Sequence, residues 1–284
     1  MAVAVERWSD AWPRYRVELG GEWNSGGFNV GFGPAQLRYA NGARVEILQP
    51  WKPEDNPFLR RFLDRHGPGP HHLTFKVPDL ASAIDDARAS GFSPVGVDLS
   101  NDDWKEAFLH PRQATGIVVQ IAQAAYAWES EAPEGFPTDP TGSPASLVRV
   151  THAVADLGVG LALFEALLGG SSTGRGVARD RTWEYADLRW PGPLALRLIA
   201  PISGERERRA ERELDLAAWL GDASGRLHHL AFTLPDDESA QHGGASALEV
   251  PGVLPDDGPA RVVDPQDNLG TRLVLFSPAE VPAP

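Results

Sequence analysis

The chain has 284 residues, 42% of them hydrophobic and 23% charged, with a formal charge of −13 that argues against sequence-independent nucleic-acid binding, which needs a basic face. There is no cysteine, which removes disulfides, thiolate metal sites and cysteine nucleophiles together. No apolar run approaches the roughly 20 residues of a membrane span, and the N-terminus lacks the basic-then-apolar layout of a signal peptide, so a cytoplasmic protein with no membrane partner is expected.

Ala2–Val5 reads as a short buried strand, followed by a helix over about Ser9–Leu19 that stops at Gly20-Gly21. Pro13 falls in the first turn of that helix, where a missing N–H costs little. Phe28–Phe32, Gln36–Tyr39 and Ala43–Leu48 read as strands, the last two joined by a tight turn at Asn41-Gly42. Pro57–Arg65 has the apolar spacing of an amphipathic helix, with Phe58, Phe62 and Leu63 on one side. The cycle restarts with strand His72–Val77 and helix Leu80–Ser90, capped by Asp79. Strands follow near Pro94–Val97, Trp104–His110 and Gly116–Ala122. Tyr126–Ala145, rich in Glu, Pro, Gly and Thr, reads as an inter-domain linker.

The second half repeats the plan: strand Leu147–Val154, helix Leu157–Leu168, strands near Thr182–Leu188 and Leu194–Ala200, and a charged helix over about Glu205–Leu220. A last unit opens at His229 with a worn-down helix near Asp237–Ala240 and ends on strands near Ala260–Val263 and Thr271–Phe276. HHLTFKVPD at His71–Asp79 returns as HHLAFTLPD at His228–Asp236, and Leu19-Gly20-Gly21 returns as Leu168-Gly169-Gly170. A strand entry that recurs without a gap marks a duplication. The expected organisation is one domain over residues 1–125, a linker over 126–145 and a second domain over 146–280.

Four strand–helix–three-strand units, paired two by two, resemble the vicinal oxygen chelate superfamily, which includes glyoxalase I, methylmalonyl-CoA epimerase, extradiol dioxygenases and bleomycin-resistance proteins. Within it, about Ala2–Gln123 looks most like methylmalonyl-CoA epimerase. The residues that carry this are VEILQP at Val45–Pro50, HHLTFKV at His71–Val77, FLHP at Phe108–Pro111 and GIVVQIAQ at Gly116–Gln123. The resemblance implies an α+β fold of four βαβββ units forming two glyoxalase-like open eight-stranded cups. It also implies a divalent metal (Ni, Co, Zn, Mn or Fe) inside the first cup. Carried over by position, the ligands are Glu46, His72 and Gln120. Strand alternation is compatible with that placement, because Val45-Glu46-Ile47 and Val119-Gln120-Ile121 set a polar side chain against apolar neighbours on the opposite face.

The family's fourth ligand is a histidine on the first strand, in a pattern like His-x-Gly-Ile-Ala-Val. Aligned on Ala2-Val3-Ala4-Val5, it falls one place before Met1. The expectation is that translation starts upstream and supplies that histidine; otherwise the site has three protein ligands. In the second half the equivalent positions are Arg149, Arg197, His229 and Val274, so that cup has lost its metal set and is either structural or, if the two arginines converge, anion-binding.

The implied activity is that of a metal-dependent glyoxalase- or epimerase-like enzyme, an isomerase or lyase that takes a proton from the carbon next to a chelated carbonyl, with Glu46 as base. Relative to the epimerase the carboxylate and carboxamide are exchanged between the positions of Glu46 and Gln120, leaving a second proton-transfer role that Lys105, Glu106 or Glu6 could fill. A non-catalytic drug- or metabolite-binding protein and an extradiol-type dioxygenase remain alternatives. The partner is a small-molecule substrate, and the assembly is a monomer with two cups or a homodimer. His110 reads as a turn residue, the Gly20–Gly33 run as loop, and Glu205–Glu213 as a solvated helix face.

Overall fold

The computed structural model describes residues 1–140, 142–202, 215–235 and 250–277. The first half runs β1 (Ala2–Ala4), α1 (Trp8–Ala11) continued by a π-helical stretch Trp12–Glu18, β2 (Glu22–Gly26), β3 (Gly31–Arg38), β4 (Arg44–Trp51) and α2 (Phe58–His66). It goes on through β5 (Gly69–Lys76), α3 (Leu80–Ala89), β6 (Val95–Asp98), β7 (Trp104–Leu109) and β8 (Val118–Ala124). The second half repeats this as β9 (Ser146–Val154), α4 (Leu157–Leu161) with its own π stretch Ala162–Leu167, β10 (Ser171–Val177), β11 (Trp183–Arg189), β12 (Ala195–Pro201) and α5 (Leu216–Leu220). Then come β13 (Gly225–Thr233), β14 (Ala260–Val263) and β15 (Leu273–Phe276). No helix is long and apolar enough to cross a membrane among the described residues.

The strands form two open mixed sheets, one of eight in the order β2-β3-β4-β1-β5-β8-β7-β6, and one of seven in the order β10-β11-β12-β9-β13-β15-β14 among the described residues. The fold is α+β, with two glyoxalase-like domains. Most boundaries expected from the sequence fall within a few residues of the observed ones, and Asp79 caps α3 by accepting from the amides of Ala81 and Ser82.

Three differences stand out. The expected strand Phe28–Phe32 is mostly a turn: Phe28–Val30 lie between β2 and β3, with an isolated bridge between Asn29 and Phe32, and only Gly31 and Phe32 belong to β3. The sequence reading missed β2 and β10, both terminal in their sheets, both containing Gly and Ser, and both carrying a register shift, at Trp23/Ser25 and Ser172/Gly174. In α2 the buried stripe is Leu59 and Leu63 with Phe62 beside them, while Phe58 is exposed. Most of the expected Glu205–Leu220 helix, and the one near Asp237–Ala240, fall outside the described residues.

The repeated Leu-Gly-Gly has a physical cause. In both copies the π stretch closes with a wide backbone bond, Leu19 N to Arg14 O and Leu168 N to Leu163 O. The first glycine then turns left-handed, at φ +66 for Gly20 and +70 for Gly169. The second lies against the helix it follows: a Cβ on Gly21 would sit 2.5 Å from Tyr15 O, and one on Gly170 2.7 Å from Phe164 O. Neither position tolerates a side chain without a shift of backbone.

By internal contacts the chain divides into two compact units. One comprises Met1–Pro70, Trp128–Val150 and the chain from His229 onward, and the other His71–Ala127 with Thr151–His228. In the first, α2 lays Leu59 and Leu63 against Ala2, Ala4 and Leu48. Residues of the expected linker are pinned there: Arg16 donates to the carbonyls of Pro137 and Thr138 at 2.8 Å each, and Phe136 packs edge-on to Trp12 and Trp23. In the second unit Phe75 packs against Phe164 and Trp190.

Each unit also contains the same backbone crossing. Gly116, at φ +80, would place a Cβ 1.8 Å from Gly225 O, and Gly270, at φ +72, would place one 2.0 Å from Pro68 O. The duplication is thus written into the contacts as well as the sequence.

Candidate metal centre

The centre begins with strand pairing. β5 and β8 run parallel with Thr74 opposite Gln120, and β7 runs antiparallel to β8 with Phe108 opposite Gln120 and Glu106 opposite Ala122. Opposed residues share a face of a sheet and alternate residues the other. His72, Thr74, Trp104, Glu106 and Gln120 therefore line one face. Ala107, Leu109, Val119 and Ile121 take the other, where they are buried and α3 packs on their strands.

On the polar face the side chains meet. Thr74 Oγ1 donates to Gln120 Oε1 at 2.7 Å, and Gln120 Nε2 donates to Glu106 Oε2 at 2.8 Å. The same carboxylate oxygen accepts from Trp104 Nε1 at 2.8 Å. His72 is only 6% exposed, and its Nδ1 lies 3.0 Å from Nδ1 of His71. Burial, and next the adjacent His71, push His72 well below the ordinary imidazole range against the opposing effect of Gln120. Burial also brings His71 down to about 4. Both rings are neutral at pH 7, which is the form that offers a nitrogen lone pair to a cation.

Glu46 lies in the other unit. It is half-buried on β4, opposite Ala2 and Gln36, and its Oε1 accepts from Gln36 Nε2 at 3.1 Å. The Glu46 charge also opposes the burial that lowers the Met1 amino group. Of the three expected ligands, His72 and Gln120 thus share one face of the sheet, and Glu46 pairs with Gln36 on β3. Among the described residues no three His, Asp or Glu side chains gather into a metal-holding group. The expected set contains only one imidazole and one carboxylate, with an amide as third donor. A buried neutral imidazole beside an amide oxygen fits the chemistry of a divalent cation.

The groups considered for the second proton-transfer role separate clearly. Glu6 is paired with Arg60 at 2.6 and 2.9 Å, and that pairing holds its pKa down. Lys105 pairs with Asp102 at 3.3 Å. Glu106 alone of the three contacts an expected ligand. Strand parity was the signal for it, since Glu106 and Gln120 share a face only once β7 and β8 are set in register. His110 behaves as a turn residue, its Nδ1 accepting from the Arg112 amide at 3.2 Å.

In the second half, Arg149 makes a two-pronged pair with Asp257 at 3.0 and 2.8 Å, and Arg197 another with Asp187 at 2.7 and 2.8 Å. Each guanidinium already holds a carboxylate, which offsets the positive charge an anion site would need. His229 and Val274 are fully buried.

Residues 2–108 match the profile of the Glyoxalase/Bleomycin resistance protein/Dioxygenase superfamily. The sequence matches no curated protein. Among solved structures, a triple mutant of 4-hydroxymandelate synthase from Streptomyces coelicolor matches with a TM-score of 0.57 at 19% identity, over 83% of this chain and 70% of that one. At that identity the likeness is one of fold alone. Methylmalonyl-CoA epimerase from Mycobacterium tuberculosis matches at 24% identity with a TM-score of 0.40, over 44% of this chain and 85% of that one. The hypothetical protein BH1468 from Bacillus halodurans matches at 22% identity and a TM-score of 0.40, over 45% and 94%.

Proposed function

We propose that the N-terminal domain is a metal-dependent enzyme of the glyoxalase or epimerase type, acting on a small molecule by removing a proton from the carbon beside a carbonyl. The observation that carries this reading is the buried pair of His72 and Gln120, a neutral imidazole beside an oriented amide. His72 and Gln120 would hold the cation. When bound, a divalent cation there supplies Lewis-acid polarisation of neighbouring substrate oxygens. His72 contributes a nitrogen that stays unprotonated at neutral pH. Glu46 takes up the carbon-bound proton, and Gln36 fixes one oxygen of that carboxylate through its 3.1 Å bond.

The test is proton exchange. Tag-free protein loaded with Co²⁺ or Ni²⁺ is incubated in D₂O with acyl thioesters and 2-oxo compounds bearing one exchangeable α-proton, and the loss of that proton signal is followed by NMR. Exchange is expected with the native chain and should fall about 10²–10⁴-fold in Glu46→Gln. Oxygen consumption in place of exchange would move the protein to the dioxygenase class. Tight ligand retention with neither reaction would make it a binding protein.

A further inference from the structure

A carboxamide coordinates a cation through oxygen alone, because its –NH₂ end is only a donor. The two ends of Gln120 are nearly equal in size, so its partners decide which end faces where. Thr74 does not decide it, since a hydroxyl donates to Oε1 or accepts from Nε2 with equal ease. Glu106 does. An ionised carboxylate only accepts, so it must face Nε2, which it does at 2.8 Å. The rest follows by geometry: Oε1 is turned away from β7 and toward β5, where Thr74 donates to it at 2.7 Å. β5 is the strand that carries His72.

Glu106 is itself held. Its Oε2 takes the indole proton of Trp104 at 2.8 Å, and the Trp104 ring lies under Lys76 Nζ, 5.8 Å from the ring centroid. An acceptor that pulls charge through the amide also makes Oε1 a better donor atom.

We propose that Glu106, anchored by Trp104, is a positioning residue that turns the oxygen of Gln120 toward the strand of His72 and makes that amide a usable cation ligand. The proposal rests on the metal-dependent reading of the same domain.

Two readouts test it. The first is the Gln120 side-chain NH₂ in the metal-free protein, followed by ¹⁵N NMR. Its protons are expected to exchange slowly in the native chain and to lose that protection in Glu106→Ala. The second is Co²⁺ affinity by calorimetry. Glu106→Ala should bind about 10–100-fold more weakly, and Glu106→Gln, whose amide oxygen still accepts, should recover part of the loss. Trp104→Phe, which keeps the ring and loses the donor, should weaken binding in the same direction. If Glu106→Ala fails to fold, Glu106→Gln and Trp104→Phe carry both measurements. Native Co²⁺ affinity within about twofold in all three variants overturns the proposal and leaves the metal reading standing. If the native chain binds no Co²⁺, the metal reading falls instead, and unchanged NH₂ protection in the variants then overturns the positioning role as well.

Discussion

Substituting Gly116 by alanine tests the duplicated backbone crossing with an internal control. Gly116 has φ +80, and an added Cβ would meet Gly225 O at 1.8 Å, its C at 2.6 Å and its N at 3.0 Å. A relaxed carbon–oxygen contact is about 3.3 Å or more, so one backbone must move by on the order of 1.5 Å. Left-handed strain for a non-glycine residue costs roughly 1–2 kcal/mol, and forcing atoms into packed structure roughly 1–3 kcal/mol more. The expected loss is about 2–5 kcal/mol, or ~4–15 °C in Tm for a chain of this size. Gly42 has φ +82 with nothing within 4 Å of its would-be Cβ, so Gly42→Ala carries the strain without the collision. It should cost only about 1–2 kcal/mol. Gly270→Ala, at φ +72 and 2.0 Å from Pro68 O, should match Gly116→Ala. Urea unfolding of the three variants by circular dichroism reads the differences. If Gly116→Ala and Gly42→Ala agree within about 0.5 kcal/mol, the crossing does not exist as described.

Two further outcomes are expected of the fold. His152 is fully buried on β9, with Nε2 2.9 Å from Thr115 O, and burial lowers its pKa from near 6.5 to about 4. The folded state therefore binds fewer protons than the unfolded one between those values, and stability falls as the pH drops from 6.5 toward 4, by roughly 3 kcal/mol in all. His152→Gln should flatten that acid limb in a pH series of urea midpoints, and an unchanged limb would remove His152 as its source. Asp79→Ala removes the side chain that accepts from two amides at the start of α3, and should cost about 1 kcal/mol; no change in midpoint would mean that water replaces the cap without loss.

Legibility in the sequence followed the strength of local signals. Asp79 before Leu80, the Asn41-Gly42 turn and the alternating apolar runs of β4, β5 and β8 each have one dominant local cause, and their elements lie where the residues indicate. β2 and β10 were not legible. EWNSG and SSTGRGV lack strand-forming composition, and pairing with β3 and β11 makes them strands. The π stretches after α1 and α4 were read as ordinary helix, because nothing in the 3.6-residue pattern distinguishes a wider turn. The Leu-Gly-Gly repeat was the trace of them.

At the candidate site, His72 and Gln120 were picked out by position in a family pattern, while Glu106 and Trp104 depended on the register between β7 and β8, which only pairing supplies. Asp257, which holds Arg149, stands 108 residues away in the chain, and no local signal could have joined the two.

The proposed role of His72, with Gln120, is to hold a divalent cation in the N-terminal domain. Equilibrium dialysis of tag-free protein against Co²⁺, followed by elemental analysis, tests it most directly. The account predicts saturable binding in the native chain, its loss in His72→Ala, and no change in His229→Ala, the corresponding position of the second half. Equal metal content in the native chain and His72→Ala would contradict it.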